Sequence, residues 1–531
     1  MSWPELVAAV DVGTGSARAG LFDRGGRLLG RAEAPITTHS PAANHAEQST
    51  GEIWQAVAQA LRAARKVAAA APDQIAGLSF DATCSLVLRD AAGGPVTVSV
   101  TGDDSRDTIL WLDHRATPET DEINARPHRV LDHNGGGLSP EMAIPKLLWL
   151  KRHLPRSWAR VAQAFDLTDF LTWAATGNPA RSQCTLTCKW TYLAHATPGW
   201  QADFLARCDL ADLLVRTGQP AVATPVATDL GPLTPAAAAH LGLTPSTRVG
   251  AGLIDAHAGA LGVLGHLAPA EVERHLALIA GTSSCVMAFS GRPRMTPGVW
   301  GPYLGVALPG LWMNEGGQSA SGALLDHILK LHGLEPGRDT HARVIARVTD
   351  LRRQTPDLAP RLHVLPDFHG SRSPEADPHA LGVLSGLPLD ASFDALCRLY
   401  WRTSVGIALG LRAILESLKT QGYETDTLHV TGGHTRNPLL MELYADATGC
   451  RTLVPAAPDA VLLGTAMCAA TAAGLHPSLA AAGAAMSQGA TARDPDREAA
   501  ARYARDWQAR LLLQRHRAEI DALAGGTTAI R

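Results

Sequence analysis

The sequence predicts an α/β protein made of two related halves with a ligand cleft between them. Three observations lead there. Of 531 residues, 46% are apolar and 18% charged, enough to bury substantial cores. At roughly 150 residues per domain, the length fits two to four domains. An apolar run that ends in a Gly-Thr turn opens the chain at Leu6–Gly15, and the same plan returns at His275–Ser283. Clefts between related domains are favoured ligand sites.

The elements follow in order. Leu6–Val12 carries Asp11 near its end. Gly13-Thr14-Gly15, an apolar stretch to Asp23, Gly25-Gly26 and Arg27–Arg31 continue it as strand, turn, strand, turn, strand. A dinucleotide-binding loop is excluded, because Arg18 stands where the third glycine belongs and a strand, not a helix, follows. Ser49-Thr-Gly-Glu52 is a capping box before an Ala-rich helix that Pro72 closes. Ile75–Arg89 reads as a strand pair around Asp81-Ala-Thr-Cys-Ser85. Helices are predicted at Pro145–His153, with Pro145 in the first turn, and at Phe165–Ala175. Thr217–Val249, rich in Pro, Ala and Thr, reads as the connection between domains.

The second half repeats the opening: Gly281 falls on Gly13, Thr282 on Thr14 and Ser284 on Ser16. Thr427–Pro438 is a strand, a Gly432-Gly433 turn and a helix start, continued through Leu439–Thr448. An apolar helix spans Val461–Gly474. A tail helix covers Asp494–Arg517, where Tyr503, Trp507 and Leu511 form one stripe facing the second domain.

Several function classes drop out. Lys+Arg 47 against Asp+Glu 50 leaves −3, which gives no basic surface for nucleic acid. No Gly-Lys pair occurs, so the GxxxxGK[ST] phosphate loop is missing. The start lacks a basic segment before a long apolar run. The longest apolar stretch, near Ala460–Leu475, falls short of the ~20 residues that span a bilayer. Eight scattered Cys fit reduced thiols in the cytoplasm. Cys184 and Cys188 stand four apart, but two ligands alone make no tetrahedral metal site. Neither HExxH nor GxSxG is present.

What remains points to phosphate chemistry. Backbone N–H groups at glycine turns hold phosphate oxygens, and Gly13-Thr14-Gly15, Gly281-Thr282-Ser283 and Gly432-Gly433 each supply such a turn at a strand end. Asp255, in Gly252-Leu-Ile-Asp-Ala-His257, either accepts a proton from a substrate hydroxyl or caps the helix that follows. Trp111-Leu-Asp-His-Arg115 and Asn314-Glu-Gly-Gly-Gln-Ser319 add polar groups of the kind that read sugars.

Together these motifs resemble the FGGY family of carbohydrate kinases, over roughly residues 6–480. The matching pieces are Asp11–Ser16, Glu47-Gln48 with Trp54, Trp111–Arg115, Gly252–His257, Gly281–Ser283, Glu315–Gln318, and Thr431–Gly433 with Asn437. The resemblance implies two actin-like (ribonuclease H-like) ATPase domains, at 1–252 and 253–490, with a helical extension at 491–531. It implies ATP and Mg²⁺ as cofactors. Asp255 would be the general base, and Asp11 would orient Mg²⁺ through water. Gly13, Thr14, Gly281 and Thr282 would face the phosphates; Gly432, Gly433 and Asn437 would face adenosine. Asp113, Lys189, Glu315 and Gln318 would contact the sugar. Thr83-Cys-Ser-Leu-Val87 resembles the D-ribulose kinase signature, which places Cys84 or Ser85 near that sugar. The expected reaction is phosphorylation of the 5-hydroxyl of D-ribulose. L-ribulose, ribitol, xylulose or a related polyol is the alternative substrate, and an actin-like nucleotide switch the alternative class. Sugar and ATP are the expected partners, without nucleic acid or membrane; a homodimer is compatible. Phe368–Pro374 matches the family only loosely, so Arg372 receives no role.

Overall fold

The computed structural model describes residues 5–523, and its architecture follows from two mixed sheets of the same design. In the first, Leu6–Val12, Ser16–Phe22 and Leu28–Pro35 form the antiparallel meander. On the other side of Leu6–Val12 lies Ile75–Ala82, parallel to it, and then Arg248–Ile254, parallel again. Asp229–Pro232 closes the edge. In the second sheet, His275–Ala280, Ser284–Ser290 and Trp312–Gln318 are the meander, followed by parallel Thr427–Thr431 and Arg451–Pro455. Numbering the five shared strands within each half gives the order 3-2-1-4-5 twice. The duplicated Gly-Thr turn is thus one corner of a duplicated domain.

Local chemistry sets the elements. The strands are near-continuous apolar runs because both sheet faces are covered. The Thr50–Val67 helix starts at Ser49, whose hydroxyl accepts the Glu52 N–H. Glu52 does not complete the capping box; its carboxylate accepts from the Thr37 N–H and hydroxyl instead. The Ala460–Ala472 helix is apolar on every side because it lies in the middle of the molecule, between the first sheet and the Asp255–Leu264 helix. The two helices touch through glycines. A Cβ on Gly464 would stand 1.9 Å from the Ala258 carbonyl oxygen, and one on Gly262 1.9 Å from that of Ala460.

Several sequence expectations change. Ile75–Ala82 and Leu86–Arg89 are not a pair: the second belongs to a small four-stranded sheet with Glu47–Gln48, Thr108–Ile109 and Gln163–Asp166. Phe165 lies in that sheet, and the helix after it is Leu167–Thr176. Thr217–Val249 is not a connection, because it supplies two strands and a helix to the first half. The first sheet runs to Ile254, and Ala490–Arg493 adds a strand to the second, so 252 lies inside one strand and 490 opens another. The tail helix is Arg497–Leu523. Tyr503 is buried on the second half and Trp507 packs there, whereas Leu511 is exposed. No described helix is long and apolar enough to cross a membrane.

Candidate active site

The carboxyl ends of the parallel strands in the first half bring three carboxylates together. Asp11 is directly opposite Asp81 on the neighbouring strand, and Asp255 begins the helix that leaves Arg248–Ile254. Asp11 pairs with Arg18 across the hairpin. Asp81 accepts a hydrogen bond from the Thr465 hydroxyl of the central helix. Asp11 Oδ1 and Asp81 Oδ1 are buried without a hydrogen-bond partner, and Asp11 Oδ2 has only the Arg18 ion pair. Burial, with the neighbouring charge of Asp255, pushes the Asp11 carboxyl up to about 7 and raises Asp81 well above the usual carboxylate range. Two orphaned carboxylate oxygens at one strand end suit a hard divalent cation and its water shell.

Asp255 is only half-buried. Its Oδ1 accepts the Ala256 N–H at 2.7 Å, so the carboxylate is aimed by the first turn of its own helix. Burial raises its pKa, opposed by that hydrogen bond and by Arg18. Its charge bears on Asp11 and Asp81 on one side and on Cys285 on the other.

The two Gly-Thr turns differ by one residue. Gly13 N–H donates to Ser16 O, and Gly281 N–H to Ser283 O. Thr282 is exposed and Thr14 half-buried. The second turn is braced from below, where Thr282 O accepts from Ser321 and Ala323 and Gly281 O from Gly322. Gly432 has φ +91, and a Cβ there would lie 2.4 Å from Ala280 O, so only glycine brings that strand end so close. Gly433 opens a short 3₁₀ turn, Gly433–Arg436, and not the α-helix. The helix begins at Pro438, and Asn437 spends its Oδ1 on the Leu439 N–H as the cap.

Between the halves lies a cavity of about 390 Å³, within the usual range for ligand pockets. Trp111, His114 and Glu141 line it from the first half; Thr282, His369 and Arg372 line it from the second. Trp111 Nε1 donates to Thr14 Oγ1 at 3.0 Å, which joins the first glycine turn to the cavity wall. A larger chamber of about 570 Å³ continues past Arg372 toward Gly135–Pro140 and Trp300.

The predicted sugar residues divide into two groups. Cys84 is half-buried, and burial pushes its thiol up to about 12. Lys189 Nζ lies 4.2 Å from the ring centre of Trp300, which lines the larger chamber. Glu315 lies behind it, and its carboxylate accepts from His257 Nε2–H at 3.1 Å. Burial opposes ionisation of Glu315, but Lys189 and His257 outweigh it and hold the carboxyl down at about 2. Gln318 donates to Ile407 O and lines a small recess beside Arg372.

Ser85 and Asp113 are not brought to the cavity, contrary to expectation. Ser85 is 0% exposed and accepts the Trp111 N–H. Asp113, also 0% exposed, is saturated by Arg115 and the Ala46 N–H. Both shape the wall that carries Trp111. Lys146 joins them, donating to the carbonyls of Leu110, Trp111 and Glu141.

Arg372 and Glu141 were not assigned from sequence, yet they meet across the cleft at 3.0 Å and are nearly buried. Although burial opposes its charge, Glu141 is held down at about 2, chiefly by Arg372. His114 and His369 stack across the same gap, ring centres 5.8 Å apart. Arg372 had a signal in Phe368–Pro374; Glu141 had none.

Comparison with known proteins decides the family. The FGGY carbohydrate kinase N-terminal domain matches residues 6–262, and the C-terminal domain matches residues 276–473. This chain belongs to the FGGY family of carbohydrate kinases. It is 43% identical to an FGGY carbohydrate kinase domain-containing protein of Danio rerio, over 98% of this chain and 99% of that one. It is 36% identical to a D-ribulokinase of Saccharomyces cerevisiae, over 88% of this chain and 72% of that one. Among solved structures, the xylulose kinase of Rhodospirillum rubrum superimposes with a TM-score of 0.79 at 24% identity, covering 97% and 99% of the two chains. At that identity the likeness establishes the fold. The two halves of this FGGY chain are accordingly two actin-like domains.

Proposed function

We propose that this FGGY kinase transfers the γ-phosphoryl group of ATP to the 5-hydroxyl of D-ribulose, in the cytoplasm, with Asp255 as general base. One observation carries the reading. Asp255 stands half-open at the start of its helix, its charge acting on the carboxylate pair Asp11/Asp81 of the first half and on Cys285 of the second. The 36% identity to a named D-ribulokinase supports the choice of sugar.

The sugar alcohol enters the cleft beside Lys189 and Glu315. Its hydroxyl proton passes to the Asp255 carboxylate as the sugar O–P bond forms. The bond from the γ-phosphorus to the bridging oxygen breaks, and ADP leaves with that oxygen. The N–H groups of the Gly13 and Gly281 turns face the phosphates, and the Gly432-Gly433 turn faces the nucleoside. Asp11, with Asp81 beside it, would hold Mg²⁺ through water. When bound, Mg²⁺ neutralises charge on the phosphate oxygens. Closure of the two halves excludes water and protects ATP from hydrolysis.

ADP release at saturating Mg·ATP, measured across D-ribulose, L-ribulose, ribitol and D-xylulose, tests this. The highest kcat/KM belongs to D-ribulose, with the phosphate on carbon 5. A tenfold preference for another sugar overturns the substrate and leaves the kinase. No sugar-stimulated ADP release, together with ATP-dependent sedimentation, favours a nucleotide switch.

A further inference from the structure

Behind the sugar side of the cleft is a cluster that the phosphoryl transfer does not use. Cys184 and Cys188 lie one turn apart on the Gln183–Lys189 helix and therefore share a face. They point at His257, the third residue of the Asp255–Leu264 helix. His257 Nδ1 is 3.0 Å from Cys184 Sγ and 4.0 Å from Cys188 Sγ, and the three atoms all lie within 4.8 Å of one another. Each residue is 0% exposed.

We propose that Cys184, Cys188 and His257 bind one thiophilic metal ion of the Zn²⁺ class. Zinc bonds of about 2.3 Å to sulfur and about 2.0 Å to nitrogen put tetrahedral S···N edges near 3.6 Å, between the two observed separations. The second shell has the form such sites use. Glu315 holds the far ring nitrogen, Nε2, at 3.1 Å, which assigns the proton there and turns the Nδ1 lone pair toward the sulfurs. The Ile254 N–H points at Cys184 Sγ from 3.4 Å. Two thiolates and a neutral imidazole cancel the charge of a divalent ion, so the loaded site adds no net charge to the core. Three protein ligands leave one position of the tetrahedron for a non-protein ligand.

The ion ties together parts that meet at the cleft. Lys189 directly follows Cys188, Asp255 is two residues before His257, and Glu315 touches His257. The site is thus a clamp that positions the base and the sugar-side charges without touching the reacting atoms. It differs from the Asp11/Asp81 position in chemistry, because thiolates select soft ions and carboxylates hard ones.

The test is metal content of the full chain, purified with reductant, equilibrated with buffered Zn²⁺ in excess Mg²⁺, and read by mass spectrometry of the elements. One Zn²⁺ per chain is expected, falling below about a fifth in Cys184→Ser, Cys188→Ser and His257→Asn. Replacement by Co²⁺ gives a thiolate charge-transfer band in the near ultraviolet of the wild type, a readout that stands even where a variant fails to fold. Wild-type protein with no bound Zn²⁺ and no such band overturns the proposal. So does a Zn²⁺ content unchanged in folded cysteine variants. Neither readout needs ATP or sugar, so the outcome is independent of the kinase reaction.

Discussion

At the scale of single residues, the proposed general base is Asp255. Its carboxylate is fixed by the first turn of its helix, and burial raises its pKa above the ordinary 3.8. A base works only when ionised. Activity is therefore complete above the raised pKa and declines tenfold per pH unit as pH falls through it. A profile of kcat/KM against pH should show that acid limb above the usual carboxylate range; a flat profile down to pH 4 contradicts it. The places of Asp11, Asp255 and the two Gly-Thr turns at strand ends were legible because strand ends and glycine turns are short-range patterns. Arg372 and Glu141 were not, since they are 231 positions apart and only the folded cleft joins them. Ser85 and Asp113 misled for a related reason. A polar residue in a polar motif looks the same whether it faces the ligand or holds the wall behind it.

At the scale of elements, the Asp255–Leu264 helix crosses Ala460–Ala472, and that crossing sets where Asp255 stands. The contact is backbone to backbone at Gly262 and Gly464. Gly464→Ala forces the helices apart and should lower stability by at least about 2 kcal/mol, the usual cost of overpacking, read as a lower urea midpoint. An unchanged midpoint means the helices are not in close contact. The central helix could be read from its uniform apolar composition. Thr217–Val249 could not, because the segment is Pro-rich and its edge strand Asp229–Pro232, with Gly231 and Pro232, has the composition of a linker. Proline is tolerated there because an edge strand leaves some N–H groups unpaired in any case.

At the scale of the whole molecule, two copies of one five-strand order meet at the cleft. The Arg372–Glu141 ion pair joins them at the cavity. Breaking a nearly buried pair strands its partner, so Arg372→Ala should cost about 3 kcal/mol in denaturant unfolding. Glu141→Gln in the same background should recover part of that loss. If the single variant is as stable as wild type, the pair does not latch the halves. The duplication was visible from two short turns, because each marks the same corner of its sheet. The surface where the halves meet was not, because it is assembled from loops that no periodic pattern announces.

The most direct measurement is steady-state kinetics of Asp255→Asn with D-ribulose at saturating Mg·ATP. With Asp255 as the base, kcat falls by about 10²–10⁴, the span of general-base catalysis, with KM for the sugar changed far less. Turnover within a few-fold of wild type would contradict it.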